Sequence, residues 1–279
     1  MLPSSFLKEL IVLIKLVALD LDGTLIAPDQ TISKKNREAI RKCLDMGIMV
    51  SIHTGRCAAS TKEIIKDLDL KGFHASSSGA TLIDENLELC YMKKVPGEFA
   101  REVFLTCRKL KIPFISQTSD SLIAHEMKYE DLNYFNENDA FFKHIPDMTI
   151  DDVVQNTLQV TLFLNDDDPR KSYFKDRFGE VLKFRRAGKM FANIIDNSAG
   201  KLTGLKKVME LVGLKREEIM AIGDTEVDLG IINFSGTGVA MGNSPEAIKM
   251  AADFVSTECK EDGVAYAIER FILEPTRDK

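Results

Sequence analysis

Short apolar runs alternate along this chain with amphipathic stretches at helical spacing, and the rhythm predicts most of its elements. Residues 16–21, LVALDL, are apolar until Asp20 and read as a buried strand. The stretch 33–47, SKKNREAIRKCLDMG, offers Ser33 as a cap, Ile40 and Leu44 one helical turn apart, and Gly47 as a stop. IMVSIHTGR (48–56) is a second strand with a polar tip, and CAASTKEIIKDLDL (57–70) a second helix. KGFHASSSGATLID (71–84) opens a third strand ending in a small-residue turn. Strand and helix in alternation predict βαβ units, hence a parallel sheet with helices on both faces. Ligands of such sheets lie beyond the carboxyl ends of the strands, where Asp20, Asp22 and Thr54 would stand.

The texture changes from 82 to 186. ATLIDENLELCYMKKV and FISQTSDSLIAHEM read as hairpins, PGEFAREVFLTCRKLK and DPRKSYFKDRFG as helices, and TLQVTLFLND as a strand by alternation. Hairpins mixed with helices predict an α+β module around an antiparallel sheet. Beyond it GKLTGLKKVMELVGL is helical, EIMAIGD is a strand ending at Asp224, and TGVAMGN is another strand tip. The expected fold is therefore α/β, a doubly wound parallel-sheet (Rossmann-like) core formed by 1–81 and 187–279, with an α+β cap, 82–186, inserted into it. Phe99, Phe114, Tyr129 and Tyr134 fall in the cap and suit its own small core.

Composition narrows the classes. Hydrophobic residues make up 44% of the 279 positions, enough for a sizeable core. The formal net charge of −6 argues against nucleic acid as a partner, because such binding depends on Lys and Arg at phosphates. Five cysteines (Cys43, Cys57, Cys90, Cys107, Cys259) are scattered without a CxxC pair, and with four histidines they make neither a zinc site nor a disulfide framework. They read as reduced thiols of a cytoplasmic protein. Near the amino terminus FLKELIVLIKLVAL is apolar, but Lys8, Glu9 and Lys15 break it far short of the roughly 20 residues a membrane helix needs. No membrane partner is expected, and residues 1–13 read as an extension.

Asp20 and Asp22 lie on one side of a strand end, and two like charges that close need a proton, a cation or an electrophile between them. Lys201 opens a helix, where a cation opposes the dipole and so invites a functional reason. Asp224 and Asp228 follow another strand tip. Carboxylates gathered at one end of a parallel sheet suit a hard cation with oxygen ligands, Mg²⁺ above all. A lysine and a threonine hydroxyl beside them suit a phosphoryl group, and a carboxylate can itself become the nucleophile of an aspartyl phosphate. The structural alternatives are a strand-end turn for Asp20 and Asp22, a helix cap for Thr54, a salt bridge for Arg56 and a plain turn for Asn243. His53 reads as a packed strand-end residue. GTGVAMG (236–242) leads into a strand instead of following one, and SAGKL lacks the earlier glycine of a phosphate-binding loop, so neither is a nucleotide motif.

In order and spacing, DLDGTL (20–25), HTGR (53–56), GKL (200–202) and GDTEVD (223–228) resemble the four motifs of the haloacid dehalogenase-like hydrolase superfamily. The α+β insertion resembles the class IIB cap of Cof-type sugar-phosphate phosphatases, and residues 239–268 are similar to that subfamily's C-terminal signature. The resemblance implies Asp20 as nucleophile and Asp22 as general acid and then base. It implies Thr54 and Lys201 as contacts to the phosphoryl group; Gly55 and Arg56, beside Thr54, are further candidates for substrate binding at the pocket rim. Mg²⁺ would sit between Asp20, the backbone carbonyl of Asp22 and Asp224, with Asp228 a ligand or an orienting group and Asn243 behind them. The chain departs from the subfamily pattern at Val227 and Ser78, where an asparagine is usual, and each change takes an amide from the pocket rim. The expected activity is Mg²⁺-dependent hydrolysis of a small phosphorylated metabolite, sugar phosphates being the default. A phosphomutase shares the aspartyl phosphate and is the alternative enzyme; a sugar-phosphate-binding regulatory protein is the alternative without turnover.

Overall fold

The computed structural model describes residues 14–126, 142–143, 150–165, 167–187 and 191–274. Strand β1 (Leu16–Leu19) lies inside a five-stranded sheet, between β2 (Met49–Ile52) and β12 (Ile219–Gly223). β13 (Thr237–Ala240) and β14 (Phe254–Val255) continue it beyond β12, and all the pairings are parallel. Leu19 is level with both Ile52 and Ile222, so the segments after β1, β2 and β12 leave the sheet side by side. The chain winds outward from β1 to β2, then returns to β12 on the other side. That reversal opens the crevice in which α/β sheets place their ligands.

Alternation along β1 divides the core into its two layers. Val17 and Leu19 pack with Val50, Ile52, Met220 and Ile222 under α1 (Lys34–Asp45) and α9 (Gly263–Ile268). Leu16 and Ala18 join Ile219 and Ala221 under α6 (Lys201–Val212), which presents Leu205 and Val208. Ser33 caps α1, its Oγ accepting from Asn36 N at 3.1 Å, and Asn36 Oδ1 in turn accepts from Ala265 N at 2.9 Å, tying α1 to α9. Helices α2 (Ala58–Asp67), α7 (Leu229–Phe234) and α8 (Glu246–Lys249) complete the layers.

On the edge beyond β2, β3 (His74–Ser76), β4 (Thr81–Ile83) and β5 (Leu89–Met92) form an antiparallel meander. It meets β2 through a parallel bridge of His53 to Ala75 and a 3.0 Å bond from Thr54 N to Ala75 O. The hairpin expected at the start of the inserted module is thus hydrogen-bonded to β3, whose free edge it covers.

The inserted module holds a six-stranded sheet in the order β10 (Leu182–Ala187), β11 (Phe191–Asp196), β9 (Gln159–Phe163), β6 (Phe114–Gln117), β7 (Leu122–His125), β8 (Phe142–Lys143). Its pairings are antiparallel except β7 with β8. Helices α3 (Gly97–Lys109), α4 (Ile150–Val154) and α5 (Arg170–Phe178) cover one face and bury Phe104, Phe114, Phe174 and Phe178 against it, with Phe99 at the margin. A division at 186/187 falls inside β10, where Arg186 is level with Ala192 and Ala187 with Phe191 of β11; strand pairing carries this sheet on to Asp196. Tyr129, Tyr134 and residues 1–13 lie outside the described residues. Among those described, no helix is long and apolar enough to cross a membrane.

Candidate active site

Asp20 follows β1 directly, Asp224 follows β12, Lys201 is the first residue of α6 and Asp228 precedes α7. The crevice between β1 and β12 brings all four together. Lys201 Nζ donates to Asp20 Oδ1 at 2.5 Å and to Asp228 Oδ1 at 2.6 Å, and every partner is buried. The other oxygen of Asp228 accepts from the backbone N of Thr225 at 3.1 Å and its hydroxyl at 3.0 Å, and more weakly from Asp224 N at 3.3 Å. Asp224 Oδ1 accepts from the Thr24 hydroxyl at 3.1 Å. Gly23 makes room for that carboxylate: its φ is +83°, and a Cβ there would stand 2.4 Å from Asp224 Oδ2.

Asp20, Asp224 and Asp228 each bring a carboxylate oxygen within 4.8 Å of the others. Three buried acids share one ammonium. Burial, then Asp228, pushes the Asp20 carboxyl well above its usual range, with Lys201 opposing. Burial and Asp228 likewise push Asp224 up to about 6. Burial disfavours charge on Lys201, but Asp20 and Asp228 outweigh it and hold its pKa above the usual lysine value. The ammonium is therefore fixed, and the negative charge left over is what a divalent cation with oxygen ligands would balance. This donor set fits Mg²⁺.

Asp22 does not join the cluster. Its side chain is half exposed and faces Arg56, whose Nε donates to Oδ2 at 2.9 Å and whose Nη2 donates to Oδ1 at 2.5 Å. Arg56 Nη2 also donates to Gln30 Oε1 at 2.9 Å. Arg56, expected at the rim as a contact to substrate, thus spends its fork on the neighbouring carboxylate. Thr54 is buried after β2, its Oγ1 accepting from Arg56 N at 3.1 Å, and Gly55 lies beside it. Asn243 Nδ2 donates to Gly23 O at 3.0 Å and reaches Asp224 Oδ2 at 3.4 Å, while its Oδ1 accepts from Cys259 N. A cavity of about 370 Å³ opens beside Lys201, lined by Ser78, Lys183, Thr203, Val227 and Asn233 among others.

Sequence reasoning missed Thr24, Thr225 and Gln30, which orient Asp224, Asp228 and Arg56. The first two sit inside the motifs and were open to inspection; nothing around Gln30 signals its partner.

A cluster of buried carboxylates around one lysine, at the switch point of a doubly wound sheet beneath an inserted module, defines a hydrolase of the phosphoryl-transfer kind. The sequence profile of the haloacid dehalogenase-like hydrolases matches residues 17–268. The chain is 32% identical over 263 residues to the Bacillus subtilis 5-amino-6-(5-phospho-D-ribitylamino)uracil phosphatase YcsE, covering 93% of this chain and 96% of that one. A haloacid dehalogenase-like hydrolase from Bacteroides thetaiotaomicron superposes with a TM-score of 0.84 at 28% identity, over 93% of this chain and all (100%) of that one. The subclass IIB sugar phosphatase BT4131 shares the fold, with a TM-score of 0.81 at 24% identity over 92% and 98% of the two chains. The chain belongs to the haloacid dehalogenase-like hydrolases, and within them to the phosphoric monoester hydrolases.

Proposed function

We propose that the protein is a Mg²⁺-dependent phosphatase of small phosphorylated metabolites, sugar and polyol phosphates first among them, working through an aspartyl phosphate on Asp20. The observation that carries this is the cluster of Asp20, Asp224 and Asp228 around Lys201, with a second carboxylate, Asp22, two residues on and outside it. A carboxylate of Asp20 attacks phosphorus while the bond to the leaving oxygen breaks, and Asp22 gives that oxygen its proton. Asp22 then takes a proton from water as the water attacks the same phosphorus, releasing phosphate and restoring Asp20. Lys201 and Thr54 meet the charge on the phosphoryl oxygens. Asp20 and Asp224, with the Asp22 carbonyl, would hold Mg²⁺, which supplies positive charge to the phosphoryl oxygens and to the carboxylates. Asp228 orients Lys201, its two oxygens being taken by that ammonium and by the Asp224–Thr225 turn. The leaving group lies toward the inserted module, which selects it and excludes water. The relative named for a phosphoribityl substrate supports a polyol or sugar phosphate. Five free thiols support a reducing, cytoplasmic setting.

The test is phosphate release from a chromogenic aryl phosphate, then from a panel of sugar, polyol and nucleotide phosphates, with Mg²⁺ and with chelator, beside Asp20→Asn. Metal-dependent release that vanishes in the variant is the expected result. A silent panel, with sugar phosphates still raising Tm, would transfer the protein to the binding class; dependence on a bisphosphate activator would make it a mutase.

A further inference from the structure

Between β3 and β4 the turn Ser77–Gly79 touches three parts of the molecule at once. Toward the phosphate-contact loop, Ser77 N donates to Arg56 O at 2.7 Å and Ser78 N donates to Thr54 O at 2.9 Å. Toward Lys201, Gly79 lies so close that a Cβ on it would come 2.1 Å from Gly200 O, and its φ of +80° belongs to glycine. Toward the inserted module, three hydrogen bonds form a relay. Ser78 Oγ donates to Gln159 Oε1 at 2.8 Å, Gln159 Nε2 donates to Gln117 Oε1 at 3.0 Å, and Gln117 Nε2 donates to Ser77 Oγ at 2.9 Å. Gln117 and Gln159 are level with each other on β6 and β9, and both are buried.

The turn is held in a costly shape. Ser77 and Ser78 both have left-handed backbone, φ 51° and 54°. Two such non-glycine residues in succession cost on the order of 1–3 kcal/mol each and persist only where their surroundings fix them. The glutamine relay and the bonds to Thr54 and Arg56 are those surroundings. A buried relay in which each amide nitrogen and each amide oxygen has a partner admits few other arrangements.

We propose that this turn is a positioning device for the phosphoryl site, with Gln117 and Gln159 as positioning residues. They fix Ser77 and Ser78, and the turn fixes the backbone of Thr54–Arg56 on one side and the start of the Lys201 helix on the other. Turnover then depends on two module residues that never touch the phosphoryl group. A small misplacement of Lys201 and Thr54 is felt in the transition state more than in ground-state binding.

The coupling rests on the phosphatase reading only for its kinetic half, so the experiment has a second readout. For aryl phosphate, Gln159→Leu and Ser78→Ala are each expected to lower kcat about tenfold, with KM changing less than about twofold. The double variant falls no further than the worse single one. Ser78→Asn, which tolerates left-handed backbone and keeps a donor toward Gln159, restores most of kcat. In hydrogen exchange of Gln159→Leu, amides of residues 54–56 and 200–204 open at least about tenfold faster than in the wild type. Unchanged kcat in folded Gln159→Leu, or faster exchange confined to the inserted module, overturns the proposal. If the wild type releases no phosphate, the phosphatase reading fails and the exchange data decide the coupling alone.

Discussion

Arg56 grips Asp22 through both carboxylate oxygens, Nε to Oδ2 at 2.9 Å and Nη2 to Oδ1 at 2.5 Å. A two-pronged pair fixes the plane of the carboxylate as well as its place. Asp22 is half exposed at the mouth of the site, so without Arg56 it would sample several rotamers and, as the ionised base of the second step, meet the attacking water less often. Arg56→Lys keeps the charge but loses the fork. It is expected to lower kcat about tenfold with a smaller change in KM, and Arg56→Ala about a hundredfold. Steady-state kinetics decide the matter; an equal loss in kcat and kcat/KM for Ala and none for Lys would mean that only the charge counts.

Asp20→Asn is expected to separate activity from stability. Aryl phosphate release falls at least about 10⁴-fold, because the proposed nucleophile is gone. Without divalent metal the variant melts a few degrees higher than the wild type, since one of three mutually repelling buried carboxylates has become neutral. Calorimetry in chelator reads this directly. A lower Tm would show that the Lys201 ion pair outweighs the repulsion.

Mg²⁺ should stabilise the protein in a pH-dependent way. Asp224 is raised from 3.8 to about 6, first by burial and then by Asp228. Between those values the folded, metal-free protein holds a proton that the unfolded chain has lost. Stability at this site therefore decreases as pH rises from about 4 to about 6. Mg²⁺ competes with that proton, so the Tm increase on adding it is larger at pH 8 than at pH 5. Equal increases at the two pH values would place the cation away from these carboxylates.

Legibility divided along physical lines. The strands, helices and clustered carboxylates lie in contiguous patterns: Leu16–Leu19 is apolar before Asp20, and Ser33 stands ahead of a periodic helix that it does cap. The relations that tune the site are not contiguous. Gln159 meets Ser78 across 81 positions and Asn36 meets Ala265 across 229, through side chains whose type is common in any turn or strand. Sheet membership was hidden for a related reason. Segment β4–β5 reads as a hairpin, but which sheet takes a hairpin is settled by its neighbours' free edges, which no local pattern reports.

The buried histidines make the fold sensitive to acid. Burial lowers His53 to about 3, His74 to about 4 and His125 to about 4, all from 6.5. Ser51 Oγ donates to Phe73 O, so the Ser51 contact leaves His53 Nε2 as the donor; its Nδ1 and His74 Nε2 have no hydrogen-bond partner among the described residues. Each ring stays neutral in the folded state while the unfolded chain takes up a proton below pH 6.5. Stability present above that pH is lost as pH falls through it, by about 2 kcal/mol per histidine at pH 5. His125 stacks on Phe114 at 4.5 Å, away from the carboxylates. His125→Leu is expected to flatten the fall in stability between pH 6.5 and 4 by about a third of the histidine contribution; urea titrations at several pH values would show it. An unchanged slope would mean that His125 titrates normally.

Asp228 links the two halves of the site and supplies the sharpest contrast. One oxygen holds Lys201 at 2.6 Å, and the other holds the Thr225 amide and hydroxyl at the turn that presents Asp224. An asparagine in its place could keep either set of contacts but not both: its oxygen can serve Lys201 or the Thr225 donors, and its NH₂ then faces a donor. Asp228→Asn therefore costs about 1–3 kcal/mol of stability in addition to about a hundredfold in kcat. It also weakens Mg²⁺, through the loosened Asp224. Asp224→Asn, by contrast, removes one of the proposed ligands and leaves the Lys201–Asp20 pair whole. Metal titration followed by turnover tells the two apart: raising Mg²⁺ recovers the turnover of Asp228→Asn only up to the limit set by a displaced Lys201. Full recovery at high Mg²⁺ would make Asp228 a metal ligand and nothing more, and the lysine would need another anchor.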